Sequence, residues 1–266
     1  MNYPGPKPKW LSGGRIRRTG IYWLPNAITT AALFAGFYAI VQAMNNKYEL
    51  AAMGILVAMV LDGLDGRVAR WTHTQSPFGA ELDSLSDMVS FGAAPALVLY
   101  EYALKGMGKL GWVAAFVYCA CAALRLARFN TNIDVVDKRY FQGLPSPAAA
   151  GILASFIWTI ESFHLSPQDW RVGAWIIALF AGLTMVTSIK FWSGKDINLR
   201  RSVPFWVLVA IALFMVFLLQ VTSNLPELLF FVFLAYGLSG YVMWAVEYFR
   251  NRPGTPPPGQ DRVDPS

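Results

Sequence analysis

Charged side chains are scarce in this sequence. Asp, Glu, Lys and Arg make up 14% of its 266 residues, against about 25% in an ordinary soluble domain. Hydrophobic residues reach 55% and mean hydropathy is +0.41, so the composition excludes a typical water-soluble fold and points to a bilayer. Cysteine is nearly absent: Cys119 and Cys121 lie two apart in one apolar run, where a helix aims them in different directions. That spacing excludes a disulfide framework and a metal knuckle. Only two histidines occur, His73 and His164, one in a turn and one without catalytic company. No period-two alternation of barrel strands is present, and no internal repeat. The net charge of +6 would suit nucleic acid, but the basic residues lie mostly between apolar runs and build no groove-like helix. The basic N-terminal stretch lacks a small-residue cleavage pattern, so no removable signal peptide is expected.

What the sequence does have is long apolar runs. Eight are legible, at 22–44, 49–71, 80–104, 109–129, 146–163, 171–190, 204–221 and 227–247. Each is near the ~20 residues a helix needs to cross ~30 Å of hydrocarbon. Leu24-Pro25-Asn26 opens the first, and proline is favourable where its missing N–H would be unpaired anyway. With the N-terminus in the cytoplasm, 18 Lys/Arg fall inside and 4 outside, the four being Lys47, Lys105, Lys109 and Arg171. This asymmetry orients the chain. The expected fold is an all-α integral membrane bundle of about eight transmembrane helices with both termini cytoplasmic. Residues 1–20 are a basic cytoplasmic segment, 21–248 the membrane domain, and 249–266 a proline-rich, disordered cytoplasmic tail. Trp71, Trp112, Trp170, Trp192 and Trp206 fall near span ends, as interface anchors do.

The chemistry concentrates in "MVLDGLDGRVARWTHTQSPFGAELDSLSDMVSFG", Met59 to Gly92. Asp62 and Asp65 stand three apart, and Asp83 and Asp87 four apart, so each pair shares one helix face. A turn through Pro77 and Gly79 lets the pairs face each other at the cytoplasmic border. Four carboxylates at a membrane edge repel unless protons or cations offset their charge. Oxygen-only ligands suit hard ions such as Mg²⁺ or Mn²⁺, and two such ions can clamp a diphosphate. Gly63, Gly66 and Ala69 recur beside the acids, where a helix or a nucleotide can approach closely. Arg67 and Arg70 share that rim and suit either phosphate or anionic headgroups. Glu81 is expected to point away from Asp83 as a solvated turn residue. A cation- or proton-coupled carrier also uses intramembrane acids, but near mid-membrane and with paired broken helices, neither of which is evident here. A scaffold without chemistry gives no reason for the clustered repulsion.

Asp62, Asp65-Gly66, Ala69-Arg70, Gly79, Asp83 and Asp87 reproduce, without a departure in spacing, the signature that this stretch resembles: that of the CDP-alcohol phosphatidyltransferases. The longer strings "LPNAITTAALFAGFYAIV", "ELDSLSDMVSFGAAPA", "CAALRLARFN" and "YFQGLPSPAAA" resemble the membrane-embedded phosphatidylserine synthases of that family, over roughly 18–200. The resemblance implies that 21–248 is the family's transmembrane domain. It implies two divalent cations, Mg²⁺ or Mn²⁺, on Asp62, Asp65, Asp83 and Asp87, with Asp87 also the catalytic base. It places Asn26, Asp62, Gly63, Gly66, Ala69, Arg70 and Gly79 around the CDP moiety. Substrates would be CDP-diacylglycerol and L-serine among membrane lipids, in an inner or plasma membrane with the site facing the cytoplasm. The assembly would be a homodimer without nucleic acid.

The acceptor is less fixed. Arg125 and Arg128 come three apart and can share a face, and one arginine grips a carboxylate with two parallel hydrogen bonds. Anchoring of a positive-inside rim accounts for the same two residues. Phe129, Tyr140 and Phe141 could instead cage the quaternary ammonium of choline. Glycerol or inositol phosphates would also use the arginines. Arg67, Arg125, Arg128, Phe129, Gly143 and Ser146 are the candidate acceptor or phosphate contacts, with Gly143 to Ser146 a candidate site wall. Pro145 and Pro147 would otherwise only restrict a loop-to-helix entry. Lys190, Lys195 and Arg201 fit either a diphosphate or a solvated basic rim.

Overall fold

The computed structural model describes residues 23–72, 74–131, 140–192 and 224–250. The first helix, α1 (Trp23–Met44), buries Pro25, Thr29, Ala32, Ala35, Gly36, Ala39 and Ala43, a stripe of mostly small residues. Against that stripe lies α2 (Tyr48–Trp71), which buries Ala51, Ala52, Gly54, Ile55 and Ala58. A Cβ on Gly54 would sit 3.1 Å from the Ala35 carbonyl and from Ala39 Cβ, so the two backbones run close together. In a bilayer such contact replaces the solvent-driven association of soluble helices.

The chain turns back through Thr72 to Ser76. Ser76 caps α3 (Pro77–Asp87), its Oγ accepting from the Gly79 N–H at 3.0 Å, and Pro77 takes the first turn, where a missing N–H costs nothing. This helix does not stop at Asp87. It widens into a π turn at Met88–Ala93, resumes as α4 (Ala94–Leu99), widens again at Tyr100–Leu104 and ends in a 3-10 turn at Lys105–Met107. Gly108, at φ +59, makes the reversal into α5 (Lys109–Thr131).

At the centre is α6 (Ser146–Ser162), buried along nearly its whole length, as a helix apolar all round must be. α7 (Arg171–Val186) and α8 (Leu225–Arg250) pack around it. Phe233 of α8 presses on Gly151 of α6, and Phe180 of α7 borders Gly237 of α8. Thr184 and Tyr241 share a hydroxyl hydrogen bond of 2.8 Å between α7 and α8.

The protein is therefore helical. Trp23–Met44, Pro77–Met107, Lys109–Thr131 and Leu225–Arg250 are long and apolar enough to cross a membrane, and Arg171–Val186 is a shorter apolar helix. One feature departs from helices alone. Strand β1 (Tyr140–Gln142) pairs antiparallel with β2 (Lys190–Trp192), matching Tyr140 to Trp192 and Gln142 to Lys190. The packing of α6 on α7 brings the segment entering one beside the segment leaving the other, and their backbone groups satisfy each other. The expected span at 204–221 and the terminal segments 1–20 and 251–266 lie outside the described residues.

Candidate active site

Three helix ends converge on the aspartates. α2 carries Asp62 and Asp65 in its last three turns, α3 brings Asp83 and Asp87, and the first turn of α1 closes the third side. One carboxylate oxygen from each of Asp62, Asp83 and Asp87 lies within 4.8 Å of the other two. Asp65 sits one turn along α2 and is only 4% exposed. Its Oδ2 accepts from Thr29 Oγ1 at 2.6 Å. Asp87 Oδ1 is buried with no hydrogen-bond partner. Like charges this close repel, and an unpaired buried carboxylate oxygen is costly.

The donor set fits a hard divalent cation. Every candidate ligand atom is a carboxylate oxygen, and the orphaned Oδ1 of Asp87 leaves a coordination position for one. Among the described residues this is the one group of His, Cys, Asp or Glu close enough to hold a metal.

Beside the carboxylates opens a cavity of about 280 Å³. Asn26, Gly66, Ala69, Arg70 and Gly79 all line it, together with Asp65 and Asp83. Asn26 and Gly79 meet across it: a Cβ on Gly79 would lie 3.2 Å from Asn26 Oδ1 and from Ser76 Oγ. Glycine there lets the start of α3 approach α1. Gly63 is placed differently. It is exposed, a Cβ there would meet nothing within 4 Å, and it is not part of the cavity wall. Arg67 is also exposed, one turn from Gly63 on α2. Glu81 is exposed, as expected, but it lies within α3 rather than in a turn.

The other side of the aspartates is closed by α5. Arg125 Nη1 donates to Ser146 Oγ at 2.7 Å, and its guanidinium acts electrostatically on both Asp62 and Asp87. Its Cζ stands 6.0 Å from the centre of the Phe129 ring, which is exposed at the helix end. Arg128 turns elsewhere, reaching the Thr187 carbonyl at 3.4 Å. Arg125 and Arg128 therefore bind different segments. Ser146 is buried at the first position of α6, and Gly143, at φ +76, donates its N–H to the Ile189 carbonyl at 2.9 Å. Gly143 and Ser146 thus belong to the wall that holds Arg125 and closes the ladder. His73, Lys195 and Arg201 lie outside the described residues, and Lys190, Tyr140 and Phe141 are placed only by their backbones in the ladder.

Several polar residues at the site escaped the sequence reading. Thr29 and Ser86 are buried between α1, α2 and α3, while Thr74, Gln75 and Ser76 line the cavity. Asn130 Nδ2 donates to Ser84 Oγ at 3.0 Å and links α5 to α3. The one available signal was that Thr29 stands three residues after Asn26, on the same face of α1.

A family model described as CDP-alcohol phosphatidyltransferase matches residues 22–187, from the start of α1 to the end of α7. The chain belongs to the CDP-alcohol phosphatidyltransferase family. Its curated relatives include a CDP-diacylglycerol–serine O-phosphatidyltransferase of Helicobacter pylori, 32% identical over 233 residues, spanning 87% of this chain and 96% of that one. The protein of that name from Methanocaldococcus jannaschii is 38% identical over 171 residues, 64% of this chain and 74% of that one. One from Mycobacterium tuberculosis is 39% identical over 182 residues, 64% and 63% of the respective chains. As a phosphatidyltransferase of this family the chain is a membrane enzyme of phospholipid synthesis. Its carboxylate group and the adjoining cavity fall within the matched segment, whereas α8 lies beyond it and still packs on α6.

Proposed function

We propose that the protein transfers the phosphatidyl group of CDP-diacylglycerol to the hydroxyl of L-serine, giving phosphatidylserine and CMP, at a site with two divalent cations facing the cytoplasm. The observation that carries this reading is the convergence of Asp62, Asp83 and Asp87 beside a cavity walled by the family signature. The names of the relatives favour serine as acceptor. The basic rim of the sequence supports a cytoplasmic site in an inner or plasma membrane, and the family resemblance a homodimer.

In this mechanism Asp62, Asp65, Asp83 and Asp87 hold the cations. Bound there, divalent ions neutralise the diphosphate and stabilise charge on the transferring phosphoryl group. Asn26, Gly66, Ala69, Arg70 and Gly79 receive the nucleotide, the small residues Gly66, Ala69 and Gly79 leaving room for it. The acyl chains stay among the helices. Asp87 takes the proton of the serine hydroxyl through the carboxylate oxygen that is not given to a cation. The freed oxygen bonds to the phosphorus that carries diacylglycerol, and the bond from that phosphorus to CMP breaks. Arg125, beside Asp87 and held by Ser146, orients the serine carboxylate. A positioned nucleophile and a good leaving group make a covalent enzyme intermediate unnecessary.

Serine competes with choline and with glycerol or inositol phosphate as the acceptor. The deciding experiment offers all of them with CDP-diacylglycerol and Mg²⁺ or Mn²⁺ to the purified chain and identifies the lipid product. Phosphatidylserine that disappears on chelation supports the reading. Another lipid product overturns the acceptor, and product undiminished by exhaustive chelation overturns the metal.

A further inference from the structure

Both aspartate pairs are tied to the same residue of the first helix. The Thr29 hydroxyl, 5% exposed, donates to Asp65 Oδ2 at 2.6 Å on α2. The Thr29 carbonyl accepts from Ser86 Oγ at 3.2 Å on α3, and Ser86 is the residue before Asp87. One turn further along both helices, Ser90 Oγ donates to the Ala32 carbonyl at 3.2 Å. The side chain of Thr29 thus fixes one pair and its backbone the other.

We propose that Thr29 is a positioning residue that sets the distance between the two aspartate pairs and thereby the affinity of the site for divalent cations. This rests on the metal-dependent reading above. A separation of 2.6 Å is in the range of about 2.5–2.7 Å typical of a hydroxyl donating to a carboxylate. The competing acceptor, the Pro25 carbonyl one turn earlier, is 3.1 Å away. Both acceptors lie within reach of one rotamer of a β-branched side chain, so neither requires the hydroxyl to swing out of the site. Engaging Oδ2 fixes the orientation of the Asp65 carboxylate. The link to Ser86 then prevents α3 from sliding along α1 without also moving Asp65.

Thr29→Val keeps the branched shape and removes only the hydrogen bond, whereas Thr29→Ser keeps the hydroxyl. Partners that orient a metal ligand are typically worth about 10–100-fold in metal affinity. The test titrates the full chain in detergent with Mn²⁺ alone and follows loss of the free-ion electron paramagnetic resonance signal, with circular dichroism as a check on the fold. The Thr29→Val variant is expected to bind Mn²⁺ at least about tenfold more weakly, and Thr29→Ser close to the parent. Unchanged Mn²⁺ binding by a folded Thr29→Val variant overturns the positioning role while the metal reading stands. A parent chain that binds no Mn²⁺ overturns the metal reading, and this inference with it. If Thr29→Val fails to fold, Ser86→Ala cuts the tie to the other pair without adding bulk. It too is expected to weaken Mn²⁺ binding, and parental affinity in that variant overturns the proposal.

Discussion

Replacing Gly36 by alanine separates the stability of this bundle from the geometry of its site. A Cβ at that position would stand 2.6 Å from Ser90 Oγ and 2.8 Å from Ser90 Cα. Ordinary carbon–carbon contact is about 3.5–4.0 Å, so the backbones of α1 and the π turn must part by roughly 0.7–1.2 Å. Overpacking of this kind costs about 1–3 kcal/mol, and the helix preference of alanine over glycine returns about 1 kcal/mol. The net loss of stability is therefore small, about 0–2 kcal/mol. The site responds more strongly. Ser90 is one turn from Asp87, and metal–ligand distances tolerate only about 0.2 Å. A misplacement of about 1 Å can cost about 100-fold in rate. The expected outcome is a folded Gly36→Ala variant whose kcat/KM for CDP-diacylglycerol and serine falls by about two orders of magnitude. Thermal unfolding in detergent, followed by tryptophan emission, measures the stability half, and turnover in mixed micelles the other. Parental turnover in this variant would show that the close approach of α1 to the π turn has no bearing on Asp87.

Two further substitutions probe the chemistry itself. Asp87→Asn preserves volume and removes the proton acceptor, so turnover should fall by about 100- to 10,000-fold while much of the CDP-diacylglycerol binding, measured directly, survives; full activity would remove the base assignment. Arg125→Ala is expected to raise the KM for serine with less effect on kcat, and unchanged serine kinetics would take carboxylate recognition away from Arg125, the arginine that faces the aspartates.

Much of the site was legible because its spacing carries the physics. Three- and four-residue steps put Asp62 with Asp65, and Asp83 with Asp87, on single helix faces whatever else the chain does. Pro77 and Gly79, expected in the turn between the pairs, instead lie in the first turn of α3 just past the reversal, and the cavity walls at Gly66, Ala69 and Arg70 follow from the same periodicity. Gly63 has the same spacing but looks into open space, because the rotation of α2 against α1 is fixed by Gly54 packing on Ala35 and Ala39. Arg125 and Arg128 looked equivalent in sequence, yet only Arg125 faces Asp62 and Asp87, since Arg128 reaches toward the end of α7.

Composition and local period alone determined a helical membrane chain, two carboxylate pairs and the kind of ion they suit, because hydrophobic length and helical repeat act over a few turns of one segment. The π turn after Asp87, the Thr29 and Ser86 links, and the β1–β2 ladder came only from tertiary structure. Each depends on how closely separate helices approach, and that distance is set by small residues meeting across a packed interface, far apart in the chain.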